Sequence, residues 1–403
     1  MKKDSVKVSV ITAIYNQARY IEDYFTSLKM QTLQDFEVIC VEDCSADDSL
    51  NQLKRLTQGD SRFRVIQNQE NSGLSVSRNK AMEMSKGKYI CFLDGDDCLE
   101  DVALEVLFQT AEEAALQGVL YSAAEYKEDL EEIIRNIQYK EEYPICNGKT
   151  LMSLAHKRGE YQSAAGFQFW RRDFLMENRL FFVPGIVYED TIFTIQALCR
   201  AERITAIPNI LYHYRRCNTS ISHNLGTKQL FSCIYIYETL VRYLEEYKDD
   251  TEVYPEIQDR KKLFEKRIQH IVCTMDDDYE LDFHNEKYRE IYLRFKENIQ
   301  FPFMNEPSPD DWEKIENAEN VFIFGDGPAA EETIAYLRKR NIFAAGIIVS
   351  DSSCKEDWNG FKRVCVQDFK EKGLVVIAVG GKWRESIEQL LAQKGNQTVF
   401  VGR

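Results

Sequence analysis

The regular alternation of strand and helix signals over the first hundred residues constrains the fold more than any other feature of this sequence. Apolar, β-branched runs predict four strands, at Val8–Ile14, Phe36–Val41, Phe63–Ile66 and Lys88–Leu93. Between the first two strands, apolar residues recur at helical spacing. This alternation is typical of a parallel sheet covered by helices. The sequence therefore predicts an α/β fold for this part of the chain.

The fourth strand runs directly into an acidic loop, Asp94-Gly95-Asp96-Asp97. In open α/β sheets, ligands bind beyond the carboxyl ends of the strands. Asp94 and Asp96 flank a glycine, so both carboxylates can turn toward one point, where a divalent cation would remove their mutual repulsion. A cation held in this way keeps positions for substrate phosphates. The alternative is that Asp96 or Asp97 caps a helix expected from Asp101.

Four segments, in order, resemble the motifs of the family-2 glycosyltransferases of the GT-A fold. They are VSVITAIYN (8–16), VEDCSADDS (41–49), NSGLSVSRNKAM (71–82) and FLDGDD (92–97). The resemblance covers roughly residues 6–225 and implies a GT-A domain there. The chain departs from the family pattern at three places: residues 12–14 replace a Pro-containing turn, Glu42 replaces an Asp and Cys44 replaces a Gly. None of these changes removes a charge that the site needs.

The resemblance implies that this domain binds a nucleotide sugar, most simply a UDP-sugar. The residues that would hold it are Ala13, Tyr15, Asn16, Asp43, Arg78, Asp94, Arg215 and Arg216. Asp43 would read the base, since a carboxylate accepts hydrogen bonds from a pyrimidine N–H. Arg78, Arg215 or Arg216 would reach carbonyl or phosphate oxygens, although Arg78 could instead be a solvated helix charge.

The resemblance also implies a divalent cofactor, Mn²⁺ or Mg²⁺, held by Asp96 with Asp94. His213 is a further candidate ligand of the metal or of a phosphate. Because His213 lies in a run of aromatic residues, the alternative is a partly buried histidine with a purely structural partner.

A second part of the resemblance concerns residues 182–198, in which a Glu-Asp pair precedes a predicted helix. In the family this aspartate, here Asp190, is the general base that takes the proton from the acceptor hydroxyl. Glu189 would orient the base or the acceptor, and Trp170 would line the acceptor side. The alternatives are that Glu189 or Asp190 caps the helix, and that Trp170 is a core aromatic residue.

The rest of the chain predicts two further regions. We expect a GT-A domain over residues 1–225, a helical region and linker over 226–318, and a Rossmann-like domain over 319–403. In the last, Gly325 and Gly327 follow a predicted strand and open a helix, as in a nucleotide-binding loop, with Asp351 near the expected place of a ribose-binding acid. Asp326 puts a negative charge where a phosphate would lie, so an interaction module or a vestigial site is the alternative.

Composition limits the partners of this chain. The net charge of -15 argues against a nucleic-acid partner, whose binding surface would be basic. The 11 cysteines include no CxxC pair, as expected of free thiols in the cytoplasm, and no apolar run approaches the roughly 18 residues of a membrane span. Residues 143–225 are nevertheless net +4, with 10 basic and 6 acidic side chains. The positive charges that a diphosphate needs would lie in this segment.

The resemblance thus implies an inverting, metal-dependent glycosyltransferase of the hexosyl or N-acetylhexosaminyl type. Its acceptor would be a hydroxyl of a glycan, a lipid-linked oligosaccharide or another surface polymer, reached from the cytoplasm or from the inner face of the membrane. Peripheral membrane association and a homo-oligomer stay open. One alternative is an inactive nucleotide-sugar-binding scaffold. The other is a nucleotidyltransferase, but residues 13–17 are not the glycine-rich, basic loop that it would need.

Overall fold

The computed structural model describes residues 6–217, 226–275, 281–283, 285–350, 358, 360–380 and 384–402. The chain forms two compact units, Met1–Lys261 and Lys262–Arg403. The division between them lies inside the region that the sequence predicts to be helical. Among the described residues, no helix combines the length and the apolar character needed to cross a membrane.

The first unit is built on a mixed sheet of nine strands. The strands are β1 (Val8–Ile14), β2 (Phe36–Glu42), β3 (Phe63–Gln67), β4 (Tyr89–Phe92), β5 (Cys98–Leu99), β6 (Gly118–Tyr126), β7 (Ile133–Ile137), β8 (Gln168–Arg171) and β9 (Ile204–Arg215). They lie in the order β3-β2-β1-β4-β8-β6-β9-β5, with β7 paired to β6. The four strands predicted near the start of the chain are confirmed as β1 to β4, which run parallel.

The helices of the first unit cover this sheet. They are α1 (Ile21–Lys29), α2 (Ser49–Thr57), α3 (Leu74–Met84), α4 (Ala103–Glu113), α5 (Gly148–Arg158), α6 (Arg172–Glu177), α7 (Asp190–Arg200), α8 (Thr227–Glu246) and α9 (Tyr254–Thr274), the last of which ends in the second unit. The sheet buries apolar residues on both faces, as parallel strands under helices require. Two of these helices carry a predicted functional residue: α3 carries Arg78, and α7 begins at Asp190.

The expectation that Asp96 or Asp97 caps a helix starting at Asp101 is wrong. The helix α4 begins two residues later, and no side chain caps it. The chain first makes the short strand β5, which pairs antiparallel with β9. Pairing with a strand more than a hundred residues away therefore decides the path of the chain after the acidic loop.

The second unit contains a separate five-stranded parallel sheet in the order β12-β11-β10-β13-β14. The strands are β10 (Val321–Phe324), β11 (Gly346–Val349), β12 (Arg363–Cys365), β13 (Leu374–Ile377) and β14 (Gln397–Phe400). The helices are α10 (Glu286–Glu297), α11 (Pro309–Glu316), α12 (Pro328–Arg338) and α13 (Arg384–Gln393). Apolar clusters cover both faces of this sheet, so the unit has a core of its own.

Candidate functional site

The carboxyl ends of β1, β2, β3 and β4 lie at one edge of the sheet, and the predicted nucleotide-binding residues follow them. The register pairs Ile14 of β1 with Glu42 of β2, which places the loops after these strands side by side. Tyr15 is 46% exposed at this edge. Asn16 has a φ of 54° and accepts a hydrogen bond from Ala46 N at 2.8 Å. Ala13 is partly buried at the end of β1.

Asp43 is buried and organises the loop before α3. One of its oxygens accepts hydrogen bonds from Asn68 Nδ2 at 2.7 Å and from Ser72 N at 2.8 Å, and the other accepts from Gly73 N at 2.7 Å. Ionised carboxylates accept about four hydrogen bonds, so one acceptor position is left. The next residue, Cys44, has a φ of 62°, in the region that glycine prefers. This explains why a glycine is the family residue there.

The centre of the site is a buried arginine that contacts three carboxylates. Arg78, on α3, is only 2% exposed. Its Nη2 donates to Asp94 at 2.6 Å, and its Nη1 donates to Glu189 at 2.8 Å and to Asp190 at 3.1 Å. The guanidinium also lies over the ring of Phe182, 5.1 Å from its centroid. Arg78 is therefore not a solvated helix charge: it joins the acidic loop to the Glu-Asp pair.

The Glu-Asp pair lies at the start of α7, but neither side chain caps the helix. Instead, Asp190 accepts a hydrogen bond from Ala165 N at 3.1 Å in addition to the one from Arg78. Burial raises the pKa of Glu189, and the charge of Asp190 raises it further, against the influence of Arg78. Burial also raises the pKa of Asp190, while Arg78 and the Ala165 N–H act to lower it. A carboxyl with a raised pKa is a stronger base than an ordinary aspartate.

The acidic loop is fixed from the other side by Arg215, at the end of β9. This side chain is 3% exposed; its Nε donates to the Asp96 carbonyl at 2.8 Å, and its Nη2 pairs with Asp23 at 2.8 Å. Asp97 is buried as well and accepts from Arg215 N at 2.7 Å and from Tyr212 Oη at 2.6 Å. Arg215 thus holds the backbone of the loop in place.

The acidic loop fits a divalent cation. Burial and the adjacent charge of Asp94 raise the pKa of Asp96 to about 6, which shows that its negative charge is poorly compensated. The side chain of Asp94 is 38% exposed, so one of its faces is open to a ligand. Both residues offer oxygen atoms, which Mn²⁺ and Mg²⁺ prefer. Asp94 and Asp96 are therefore suited to hold a cation together.

The structure does not bring every predicted residue to this cluster. Trp170 is fully buried: its ring stacks on Phe174, and its Nε1 donates to Gln168 at 2.9 Å. An acceptor could contact this ring only if the core opened. Trp170 is therefore a core aromatic residue, which was the alternative to a place on the acceptor side. His213 lies on β9 with its Nε2 2.8 Å from Glu100.

Arg216, the other predicted phosphate ligand, is 54% exposed and 3.7 Å from Glu125. Asp351, the expected ribose-binding acid, lies outside the described residues. In the second unit, Asp326 of the glycine loop pairs with Arg363 at 3.0 Å. The negative charge noted in the sequence thus has a partner within its own unit.

Three residues that shape the site were not among the sequence candidates. Asn79 follows Arg78 and makes two hydrogen bonds with the backbone of Phe182, at 2.7 Å and 2.9 Å. It lies inside the third motif, so the sequence could have identified it. Ala165 contributes only its backbone N–H, which no sequence signal reveals. Tyr212 donates to Asp97, which the sequence indicated only as a possible helix cap.

Comparison with known proteins identifies the family of this chain. Residues 9–177 match the family described as Glycosyl transferase family 2. The putative glycosyltransferase EpsH of Bacillus subtilis (strain 168) is 32% identical over 243 residues, which cover 59% of this chain and 69% of EpsH. The uncharacterized glycosyltransferase YibD of Escherichia coli (strain K12) is 27% identical over 286 residues, which cover 69% of this chain and 82% of YibD.

A crystal structure of S. aureus TarS residues 1–349 in complex with UDP-GlcNAc superposes with a TM-score of 0.54 at 19% identity, over 73% of this chain and 82% of that fragment. At that identity the likeness concerns the fold, and it agrees with a GT-A architecture for the mixed sheet. The extent of the match to EpsH, together with the family match, settles the family. The chain belongs to glycosyl transferase family 2.

Proposed function

We propose that this chain is an inverting glycosyltransferase that depends on a divalent cation and transfers a hexose or N-acetylhexosamine from a UDP-sugar to a hydroxyl group. The observation that carries the proposal is the Arg78 cluster, which ties Asp190 to Asp94 through one guanidinium. A base and a cation-binding acid must act on opposite sides of the same anomeric carbon. A shared arginine fixes the distance between them.

In this proposal Asp190 accepts the proton of the acceptor hydroxyl as its oxygen attacks the anomeric carbon. Two contacts orient the carboxylate, from Ala165 N and from Arg78 Nη1, and both leave it ionised. Glu189 shares the same guanidinium and is almost completely buried, so it acts on Asp190 through Arg78 and not on the acceptor. A single displacement with one base inverts the configuration of the anomeric carbon.

Asp94 and Asp96 would hold the cation. When bound, such an ion neutralises the charge that develops on the departing diphosphate. The loop that carries these carboxylates is kept in place by Arg215 and by the Asp97–Tyr212 hydrogen bond. Since the side chain of Arg215 is already engaged by Asp23 and the loop backbone, the more exposed Arg216 is the better candidate for a contact with the diphosphate.

The base of the nucleotide would lie at the edge formed by Tyr15, Asn16 and Asp43. Tyr15 offers an exposed ring for stacking. Asp43 holds Ser72 and Gly73 with most of its acceptor positions and retains one for a pyrimidine N–H. TarS, whose fold is similar, has been crystallised with UDP-GlcNAc, which supports a UDP-sugar as the donor. A surface polymer as acceptor follows from the family resemblance.

The proposal is tested by turnover of nucleotide sugars with the full chain. A panel of UDP-, GDP- and dTDP-sugars is incubated with Mn²⁺, with Mg²⁺ or with EDTA, and the nucleoside diphosphate released is measured. We expect release from one UDP-sugar that EDTA abolishes and that Asp96→Ala lowers by at least about a hundredfold. The matched control is Asp173→Ala, which removes an exposed carboxyl of α6 and should leave turnover unchanged.

Two outcomes would contradict the proposal: no UDP-sugar turnover by the wild-type chain, or undiminished turnover by Asp96→Ala. The stereochemistry is tested separately by proton NMR of the sugar released early from an α-linked donor. Inversion gives the β-anomer first. The α-anomer as first product would refute the single displacement but not the proposed donor or the requirement for a cation.

A further inference from the structure

A second group of ionisable side chains lies entirely within the unit of residues 262–403. His270 and Cys273 lie near the end of α9, three residues apart and therefore on the same face of the helix. Glu332 lies on α12. One ligand atom of each of these three residues, a ring nitrogen, the sulfur and a carboxylate oxygen, lies within 4.8 Å of the other two. All three residues are buried. Neither the sequence motifs nor the proposed transfer reaction accounts for this cluster.

Glu332 is held so that one of its oxygens faces His270. Its Oε2 accepts hydrogen bonds from Phe303 N at 2.8 Å and from Met304 N at 3.0 Å. Its Oε1 lies 2.9 Å from His270 Nδ1. The side chain is 0% exposed. Two backbone groups thus fix the carboxylate, which is how proteins orient a ligand before a metal binds.

Glu331 completes the arrangement from the other side of the imidazole ring. Its Oε2 lies 2.9 Å from His270 Nε2. A metal-binding histidine usually donates its second N–H to a carboxylate, which fixes the ring and raises the basicity of the ligating nitrogen. Glu331 stands where that carboxylate is required, and it leaves Nδ1 for the ion.

We propose that His270 Nδ1, Cys273 Sγ and Glu332 Oε1 bind one zinc ion, with a water molecule as the fourth ligand and with Glu331 orienting the histidine ring. One imidazole, one thiolate and one carboxylate form a ligand set that suits zinc, whereas Mg²⁺ and Ca²⁺ take oxygen ligands. Ligand atoms on a tetrahedral zinc ion lie about 3.3 to 3.6 Å apart. The present separations are close enough for small side-chain rotations to reach that geometry.

Charge favours the exchange of protons for the ion. Without zinc, both ring nitrogens face a carboxylate at 2.9 Å, so His270 is an imidazolium between two anions, and Cys273 is a thiol that donates to the His270 carbonyl at 3.2 Å. Binding removes one proton from Nδ1 and one from Sγ, and both pass to solvent. The four side chains carry a net charge of -1 before binding. Together with the bound ion they again carry a net charge of -1. The buried cluster therefore accepts the ion with no added net charge.

The ion would join α9, α12 and the backbone of residues 303–304 within this unit. These segments are far apart in sequence, since His270 and Glu332 are separated by 62 positions. Cross-linking of distant segments is what a structural zinc site contributes to a small domain. The proposal does not depend on the transfer reaction of the other unit.

The test uses the purified full chain, stripped of metal and saturated with Mg²⁺ so that the acidic loop is occupied. Titration with Co²⁺ should give a thiolate-to-cobalt charge-transfer band that saturates at one ion per chain and that Zn²⁺ abolishes. Zn²⁺ binding in weak buffer should release two protons per ion. X-ray absorption of the zinc form should show one sulfur ligand at about 2.3 Å.

Variants assign the band to these residues. Glu331→Gln should weaken zinc binding by about tenfold, and Cys273→Ser should weaken it further and remove the charge-transfer band. The matched control is Cys365→Ser in the same unit, which should bind as the wild type does. Asp96→Asn should also keep the band, because it alters only the acidic loop. Circular dichroism verifies that each variant is folded.

The wild-type titration does not depend on the folding of any variant. Absence of a thiolate–cobalt band in the wild-type chain would overturn the proposal and leave His270 as the centre of a structural ion pair. A band that persists in folded Cys273→Ser, or that disappears in Asp96→Asn or Cys365→Ser, would equally overturn it. Zinc binding without a sulfur ligand would place the ion elsewhere.

Discussion

Asp190 is the residue on which the proposed chemistry depends most. Asp190→Asn keeps only one of the two oxygens that accept from Ala165 N and from Arg78 Nη1, and it removes the basic carboxylate. We expect kcat to fall by about a thousandfold with little change in donor affinity, since general-base catalysis contributes about 10²- to 10⁴-fold. Initial rates of UDP release and calorimetric titration with the donor measure the two effects. Asp173→Asn, an exposed carboxyl, is the control, and an active Asp190→Asn enzyme would exclude this residue as the base.

Asp190 should act as a base while Glu189 still carries its proton. Burial raises the pKa of both carboxyl groups, and the charge of Asp190 raises that of Glu189 further, to about 8, so Asp190 ionises first. The base works when ionised, so its raised pKa places the acidic limb of the kcat/KM profile at higher pH than for an ordinary aspartate. Glu189→Gln keeps a neutral side chain at this position and should leave that limb in place. Glu177→Gln, an exposed side chain of α6, is the control and should not move it either. A limb that moves to lower pH in Glu189→Gln alone would show that Glu189 is ionised when Asp190 acts.

Arg78 should matter for stability as well as for activity. Its removal leaves Asp94, Glu189 and Asp190 close together without their shared cation. Breaking a buried ion pair by deleting one partner costs about 3 to 5 kcal/mol, so Arg78→Ala should lower the free energy of unfolding by about 3 kcal/mol. Arg19→Ala is the control, because its side chain is 72% exposed and surface pairs contribute less than about 1 kcal/mol. Urea denaturation of both variants measures the two losses in free energy of unfolding. Equal losses would show that the cluster is not a stabilising ion pair.

At the scale of elements, the sequence predicted well what short-range patterns determine. The strand β1 begins and ends where expected, because a run of mostly apolar, β-branched residues is typical of a buried strand. Prediction from the sequence failed where a partner that is distant in sequence decides the local structure. Asp97 turns to Tyr212 and Arg215, more than a hundred positions away, instead of capping α4.

The same limit applies to the candidate site. The motifs identified Arg78, Asp94 and Asp190 as functional residues, but each was assigned a separate partner in the substrate. The structure shows that Arg78 contacts both carboxylates. Arg78 and Asp190 are 112 positions apart, and no local pattern encodes such a contact. Motifs therefore predict which residue types are present, while tertiary packing decides which of them are free for a ligand.

The packing of α5 against α7 should support the position of Asp190. A Cβ atom added at Gly148, the first residue of α5, would lie 2.2 Å from the Leu198 carbonyl oxygen of α7. Since that atom belongs to the backbone, the helices must separate. Gly148→Ala should therefore destabilise the protein by about 2 kcal/mol and lower kcat, because α7 begins at Asp190.

Thermal unfolding and initial rates of the Gly148→Ala variant measure this effect. The control is Gly226→Ala before α8, whose added Cβ would meet only the flexible side chain of Gln229, at 3.3 Å. If Gly148→Ala is as stable and as active as Gly226→Ala, the close approach of the two helices does not position the base.

At the scale of the whole molecule, the net charge of -15 is concentrated away from the predicted catalytic residues. Residues 226–320 are net -10, with 13 basic and 23 acidic side chains, while residues 143–225 are net +4. The structure changes the interpretation of that positive segment. Arg215 is already used to hold the acidic loop, so Arg216 is the residue of this pair with an exposed charge. The charge of a segment therefore indicates where a diphosphate could bind, and the burial of each side chain shows which arginine is exposed to it.

The two compact units, each with its own core, should unfold separately. Leu104 lies in the core of the first unit and Ile323 in that of the second, and both are 0% exposed. Truncation of such a residue to alanine costs about 2 to 5 kcal/mol. We expect differential scanning calorimetry of the full chain to show two transitions. Leu104→Ala should lower the temperature of one and Ile323→Ala that of the other. Release of UDP should be lost on heating together with the transition that Leu104→Ala shifts. One transition that both substitutions lower equally would show that the chain unfolds as a single cooperative structure.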